Sequence, residues 1–229
     1  METDPDSYLD VVYNATDRPF TEYPDLLAAH LVERFGVPVG SQLLDVGCGR
    51  GEFLRGFIRA GCVGSGVDQS TIALEICPDD TDIRAADLEV EALPFGDSSF
   101  DVIFSKSVIE HFYFPERLVK EMLRVLRPGG IAITVCPDWE ANYKIFFEDY
   151  THRTPFTETS LRDIQLIHGF VDVGCEHFVQ LPLIWRKPWL QPVSTVARYI
   201  SPDRWKRRSK FIRFSKEIML LSSARKPAV

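Results

Sequence analysis

The twelve residues Leu43-Leu44-Asp45-Val46-Gly47-Cys48-Gly49-Arg50-Gly51-Glu52-Phe53-Leu54 constrain the fold of this 229-residue chain more than any other stretch. An apolar run ends in an acid and opens into a loop with glycine at alternate positions. A helical pattern follows through Phe53, Leu54, Phe57 and Ile58. The segment reads as a buried strand, a tight turn and a helix. Side chains are missing where a ligand must come close to the backbone, and the helix start offers unpaired N–H groups. The spacing is G-x-G-x-G. Dinucleotide sites use G-x-G-x-x-G, whose third glycine packs helix against strand beside a pyrophosphate, so a nicotinamide cofactor fits this loop less well.

The surroundings extend the pattern. Val63-Gly64-Ser65-Gly66-Val67-Asp68 reads as a second strand ending in an acid, 17 residues beyond Gly51. A carboxylate at that place can accept from both hydroxyls of a ribose, as in dinucleotide sites, and Gln69 lies beside it. Ile83-Arg84-Ala85-Ala86-Asp87-Leu88 follows as a third strand and its loop. Leu93 to Ser105 gives a turn and a buried strand. Leu126-Arg127-Pro128-Gly129-Gly130 supplies a helix stop and a sharp turn into a strand from Ile131 to Val135.

In this order the segments resemble the motifs of class I S-adenosylmethionine (SAM) methyltransferases. The similarity is greatest to the ubiquinone- and menaquinone-type small-molecule enzymes, over roughly Gln42 to Pro137. The resemblance implies a Rossmann-like α/β fold, with a seven-stranded mixed sheet and helices on both faces. It implies SAM as cofactor and S-adenosylhomocysteine as product. Asp45, Gly47, Cys48, Gly49 and Gly51 would form the loop around the methionine part, with Asp68 and Gln69 at the ribose. Asp87 would accept from the adenine amine, Leu88 would cover the ring, and Ser105 would lie between cofactor and acceptor. Cys48 is expected as a small residue that fits the loop, Arg50 as an exposed loop arginine or else a contact to the cofactor carboxylate, and Glu52 as a helix-start acid.

Strand-like and helix-like segments alternate five times between Gln42 and Val135, the pattern of a parallel sheet wound with helices. Tyr23 to Phe35 carries a helical stripe. Tyr8, Tyr13, Arg18, Phe20 and Tyr23 form an aromatic lead that either caps the sheet or folds over the cofactor. Thr157 is an N-cap for a helix reaching His168, and Gly169 ends it. Phe170 to Val179 and Glu217 to Ala224 read as the last two strands. The chain is thus one domain, 1–229, with an N-terminal helical cap over 1–40 and an insertion over 181–213 between the last two strands.

Methyl transfer needs a base only when the acceptor is a weakly acidic hydroxyl. His111, after Ser105-Lys106-Ser107-Val108-Ile109-Glu110, occupies the loop that lies beside the transferable methyl in the resembling family. It reads equally as a base or substrate contact and as a helix-start residue that shapes the pocket. Asp149-Tyr150-Thr151-His152-Arg153-Thr154-Pro155 resembles segments after strand five in methyltransferases of polysaccharide and lipid-linked glycan synthesis. Tyr150, His152 and Arg153 there suit a polar or anionic acceptor; the alternative is a loop held by its own hydrogen bonds. His30 reads as a core or boundary histidine and His168 as a helix-end residue. His177 has no assigned role.

The net charge of −7 hides an asymmetry. Residues 181–213 hold nine Lys or Arg, one acid, and three of the four tryptophans, Trp185, Trp189 and Trp205. This tract reads as a lid or dimer element, as a contact with an anionic membrane or lipid-phosphate acceptor, or, third, as an RNA contact. The acidic remainder and the lack of a recognised RNA-binding module argue against nucleic acid. The five cysteines are scattered with no C-x-x-C pair, which points to reduced thiols in a cytoplasmic setting and to no metal framework. The narrow acceptor expectation is a sugar or glycan hydroxyl. The alternatives are a quinone or other aromatic O- or C-acceptor, and a noncatalytic SAM-binding partner subunit.

Overall fold

The computed structural model describes residues 19–70 and 81–228. Tyr8, Tyr13 and Arg18 lie outside the described residues. The seven strands are β1 (Gln42–Val46), β2 (Val63–Asp68), β3 (Asp82–Ala85), β4 (Phe100–Lys106), β5 (Leu126–Pro137), β6 (Val171–Phe178) and β7 (Met219–Arg225). They form one sheet in the order β3-β2-β1-β4-β5-β7-β6. β1 to β5 pair in parallel, while β7 runs antiparallel to both β5 and β6. The mixed seven-stranded sheet flanked by helices is the class I methyltransferase fold.

Helices α1 (Tyr23–Phe35) and α2 (Glu52–Arg59) cover one face, and α3 (Pro115–Val125) and α5 (Glu158–Ile167) the other. The strands show why both faces must be covered. Leu43 packs with Leu27, Leu31, Leu54 and Phe57, whereas its neighbour Leu44 packs with Leu118, Met122 and Val125. Val102, Ile103 and Phe104 alternate in the same way. Successive side chains point to opposite faces, so a strand apolar at every position needs two apolar layers.

Local signals set the helix ends. Pro24 sits in the first turn of α1. Gly36, at φ 61°, closes it with N–H bonds to Glu33 and Val32, and Val37 N–H returns to Val32. Thr157 caps α5, its hydroxyl accepting from Ser160 N–H while Ser160 Oγ accepts from Thr157 N–H.

β3 ends at Ala85, where the expected loop begins: Asp87 N–H turns to Glu91 and residues 87–90 curl into a turn. Two boundaries differ from expectation. β5 begins at Leu126, directly after α3. The Arg127–Gly130 turn is an excursion inside the ladder, between the pairs Phe100↔Leu126 and Val102↔Ile131. The region after β4 forms only a single 3-10 turn, Ile109–His111. The irregular stretch after β5 holds a short helix, α4 (Trp139–Asn142), and a 3-10 turn at Phe146–Glu148.

The segment between β6 and β7 is helical. It holds α6 (Pro182–Arg186), α7 (Gln191–Ile200) and α8 (Lys210–Lys216), with 3-10 turns between them. Trp185 anchors it, stacking on His30 at 4.7 Å and Phe178 at 5.3 Å. Among the described residues no helix is long and apolar enough to cross a membrane.

Candidate active site

β1 and β4 are neighbours, and the chain winds outward from them in both directions. Ligands bind at such a switch point, beyond the carboxyl ends of the strands. Here that place is the loop 47–51. Gly47, Gly49 and Gly51 all have positive φ (72°, 52° and 71°), a conformation that side-chain-bearing residues rarely adopt. At Gly47 a Cβ would also lie 2.2 Å from Val108 Cγ2. The loop is held by Gly47 and Cys48 N–H bonds to Val67 O at 2.8 and 3.1 Å. Cys48 is buried, its sulfur filling the space beside Gly66.

Asp68 ends β2 and reaches into this loop. Its Oδ2 accepts from Gly49 N–H at 2.7 Å and its Oδ1 from Ser70 N–H at 3.0 Å. Asp45 lies beneath. It is 2% exposed, and its Oδ2 meets no partner among the described residues. Burial, then the charge of Asp68, push its carboxyl up to about 8, against a hydrogen bond from the Leu54 backbone. Ser105, next to last in β4, lies beside Val46 and is also buried, with a hydroxyl lacking a partner among the described residues. Two orphaned polar atoms under a glycine cradle suit a polar ligand, since buried polar groups are normally paired.

The other expected cofactor residues are less concentrated. Asp87 is exposed and accepts from Gln69 Nε2 at 3.1 Å and from Glu89 N–H at 3.0 Å, which links the ends of β2 and β3. Leu88 is 6% exposed and packs into the core with Ala86 and Leu93. Arg50 corrects an expectation. Its side chain is 8% exposed, pairs with Glu52 at 2.7 Å, and lies under the Phe20 ring at 4.6 Å. It is a loop brace, and Phe20 brings the chain leading into α1 over the glycine loop.

Where the sequence places the candidate acceptor residues, the structure joins two loops distant in sequence. Arg153 and Thr154 N–H both donate to Glu110 O, at 2.8 and 3.0 Å. This clamp sets His111 and His152 edge to face, with centroids 4.8 Å apart. Thr151 Oγ1 donates to Asp149 Oδ1 at 2.6 Å and lies 2.9 Å from His111 Nδ1. The hydroxyl has one proton, which goes to the carboxylate, so His111 Nδ1 is the donor to it and Nε2 carries the lone pair. Burial, then His152, hold His111 down to about 4, so it is neutral at neutral pH. His152 Nδ1 lies 2.6 Å from the Phe146 carbonyl, which can only accept, so its lone pair is also on Nε2.

Arg153 donates to the carbonyls of Tyr150 (2.5 Å) and His152 (3.1 Å) and lies over the Tyr113 ring at 5.1 Å. Tyr150 is exposed. The residue that sequence reasoning passed over is Glu110. It is 1% exposed, and neither carboxylate oxygen meets a partner at hydrogen-bond geometry among the described residues. Burial pushes it up to about 8, against weaker downward pulls from the Glu110 and Val108 amides and from Lys106. A charged residue inside the apolar run Val108-Ile109-Glu110 was the available signal.

Fold and site together define the class I methyltransferase architecture. Residues 44–134 match the family described as a methyltransferase domain. Over 103 residues the chain is 42% identical to an uncharacterised methyltransferase of Mycolicibacterium vanbaalenii, covering 44% of this chain and 40% of that protein. The chain thus spans about two fifths of the length of the curated relatives it matches. Two solved structures cover 99% of it, both at 22% identity. One is from the complex between the Haloferax volcanii Trm112 methyltransferase activator and a candidate methyltransferase (TM-score 0.73, 99% of that chain). The other is Haemonchus contortus phosphoethanolamine N-methyltransferase 2 in complex with S-adenosyl-L-methionine (TM-score 0.70, 60% of that chain).

Proposed function

We propose that this protein transfers a methyl group from SAM to a small-molecule acceptor, and that the acceptor is a sugar or glycan hydroxyl, free or lipid-linked. The observation that carries the cofactor reading is the junction of β1 and β2. Three left-handed glycines form a loop whose central N–H is tied to Asp68, beside the buried Asp45 and Ser105, whose Oδ2 and Oγ lack partners among the described residues. Gly47, Gly49 and Gly51 would hold the methionine part, Asp68 the ribose, and Asp87 with Leu88 the adenine. When bound, the sulfonium supplies an activated methyl group. The chain's residues then position the acceptor and exclude water. His111 and His152 stand on the acceptor side, each with its lone pair on Nε2. The matched methyltransferase domain and the SAM-bound relative support the same reading.

The lipid-linked form is favoured by the insertion. α7 leaves Val193, Val196, Tyr199 and Ile200 exposed, with Trp189 before it and Arg186 and Lys187 beside it. An apolar face with flanking cations suits the inner surface of a membrane in a cytoplasmic protein. The test is transfer of labelled methyl from SAM to sugar nucleotides, lipid-linked sugars and quinone precursors. Product on a sugar class supports the full reading, and product on a quinone precursor replaces the acceptor. A SAM-induced rise in melting temperature without turnover on any class would instead favour a binding subunit.

A further inference from the structure

Glu110, His111 and His152 each offer one coordinating atom, and the three atoms lie within 4.8 Å of one another. We propose that they bind a divalent transition-metal ion through two imidazoles and one carboxylate. The site shares His111 and His152 with the proposed acceptor side, but metal binding does not require methyl transfer.

Three independent features carry the assignment. First, the carboxylate of Glu110 is enclosed, 1% exposed, with both oxygens unpartnered among the described residues. An ionised carboxylate in that place has only weak compensation from the Glu110 and Val108 amides and from Lys106, whereas a bound cation provides it directly. Second, both imidazoles have the outer hydrogen bonds that orient metal-binding histidines. His111 Nδ1 is tied through Thr151 to Asp149, and His152 Nδ1 to the Phe146 carbonyl. These bonds fix both tautomers with the lone pair on Nε2, and the Asp149 carboxylate makes His111 a better electron donor. Third, the groups come from two loops locked together. The backbone of Glu110 accepts from Arg153 and Thr154, so one residue provides both the clamp and the carboxylate. Ligand atoms about 2.0–2.2 Å from one ion lie closer together than this, so binding draws the three side chains inward.

The donor set indicates the ion. Two imidazole nitrogens and one oxygen suit zinc, cobalt, manganese or ferrous iron rather than magnesium or calcium, which prefer oxygen alone. Three protein ligands leave coordination positions for a water or an acceptor oxygen, as in catalytic rather than structural sites. On this assignment His111 is a metal ligand and not a general base.

The experiment uses the full chain, stripped with chelator and dialysed. Titration with Zn²⁺ in a calorimeter should show one saturable site per chain. Co²⁺ should give a visible absorption band of a low-coordinate nitrogen–oxygen site, displaced by Zn²⁺. Glu110→Gln and His152→Ala should each weaken binding at least tenfold. His177→Ala, outside the cluster, should bind as the unaltered protein does. Should a ligand variant fail to fold, the histidine ring NMR signals of the unaltered protein provide the readout. Zn²⁺ should shift the signals of His111 and His152 and leave those of His168 and His177 in place. Absence of a saturable site, unchanged affinity in both ligand variants, or shifts confined to other histidines would overturn the assignment. None of these readouts requires SAM or an acceptor, so failure here is distinct from failure of the methyltransferase reading.

Discussion

Gly49 donates its backbone N–H to the Asp68 carboxylate across 2.7 Å, so the loop after β1 and the end of β2 form one unit. A hydrogen bond to a charged group contributes about 1.5–3 kcal/mol. Asp68→Ala removes that bond and the proposed ribose acceptor together. SAM affinity should drop at least tenfold in calorimetry, while circular dichroism of the sheet stays unchanged. Binding at the original affinity would remove Asp68 from the site.

Gly47 is constrained twice, by its φ of 72° and by Val108. Gly47→Ala should cost about 2–4 kcal/mol, combining left-handed backbone cost with steric overlap. Adding Val108→Ala should restore part of the loss, because it relieves the overlap and not the backbone. Denaturant midpoints for the single and double variants measure this. No recovery in the double variant would mean that the backbone conformation alone fixes the glycine.

The carboxyl of Asp45, raised to about 8, links stability to pH. Its ordinary value is about 3.9. Its contribution to stability is complete below that value, shrinks as pH rises from about 4 through 8, and levels off above. Asp45→Asn should gain stability relative to the unaltered protein as pH rises across this window. The expected size is on the order of a few kcal/mol at the alkaline end. Parallel melting curves from pH 4 to about 8.5 would refute the linkage.

The same pair predicts proton release on cofactor binding. A cationic ligand beside Asp45 and Asp68 favours the ionised form of both. Near pH 7, the calorimetric enthalpy of SAM binding should therefore vary with the ionisation enthalpy of the buffer. Asp45→Asn should abolish that dependence.

Part of the basic charge in the insertion is internally paired. Arg213 meets Glu217 at 2.8 Å, Lys216 meets Asp203 at 2.7 Å, and Lys206 approaches Glu217 at 3.8 Å. Vesicle binding should thus depend on the apolar face of α7 as well as on charge. Val196→Ser with Ile200→Ser should reduce co-sedimentation with anionic vesicles and leave SAM affinity intact. Equal retention by both proteins would show that this face does not meet lipid.

The elements were legible where one residue sets one local outcome. Alternate glycines, Thr157 and Gly169 marked a loop, a cap and a stop, and the structure has all three. The strand order beyond β5 followed only from the family resemblance, since periodicity does not say which strands pair. The acceptor side was legible only as separate fragments. His111 and Thr151 are 40 positions apart, and their contact depends on how the loop after β5 folds back onto the Glu110 carbonyl. Arg50 was misjudged for a similar reason: besides its pair with Glu52 it lies against the Phe20 ring, thirty positions earlier, a contact no local pattern encodes.

The insertion leaves the sheet after Phe178 and returns at Met219, and these two residues are register partners. To the sheet, three helices are equivalent to a hairpin turn. The entropic cost of joining two fixed ends rises only with the logarithm of the segment's length. The segment can therefore lengthen, shorten or be exchanged without shifting one β6–β7 pair or moving the glycine loop on the far side of β5. The insertion and the glycine loop are in this way separately variable parts built on the same sheet.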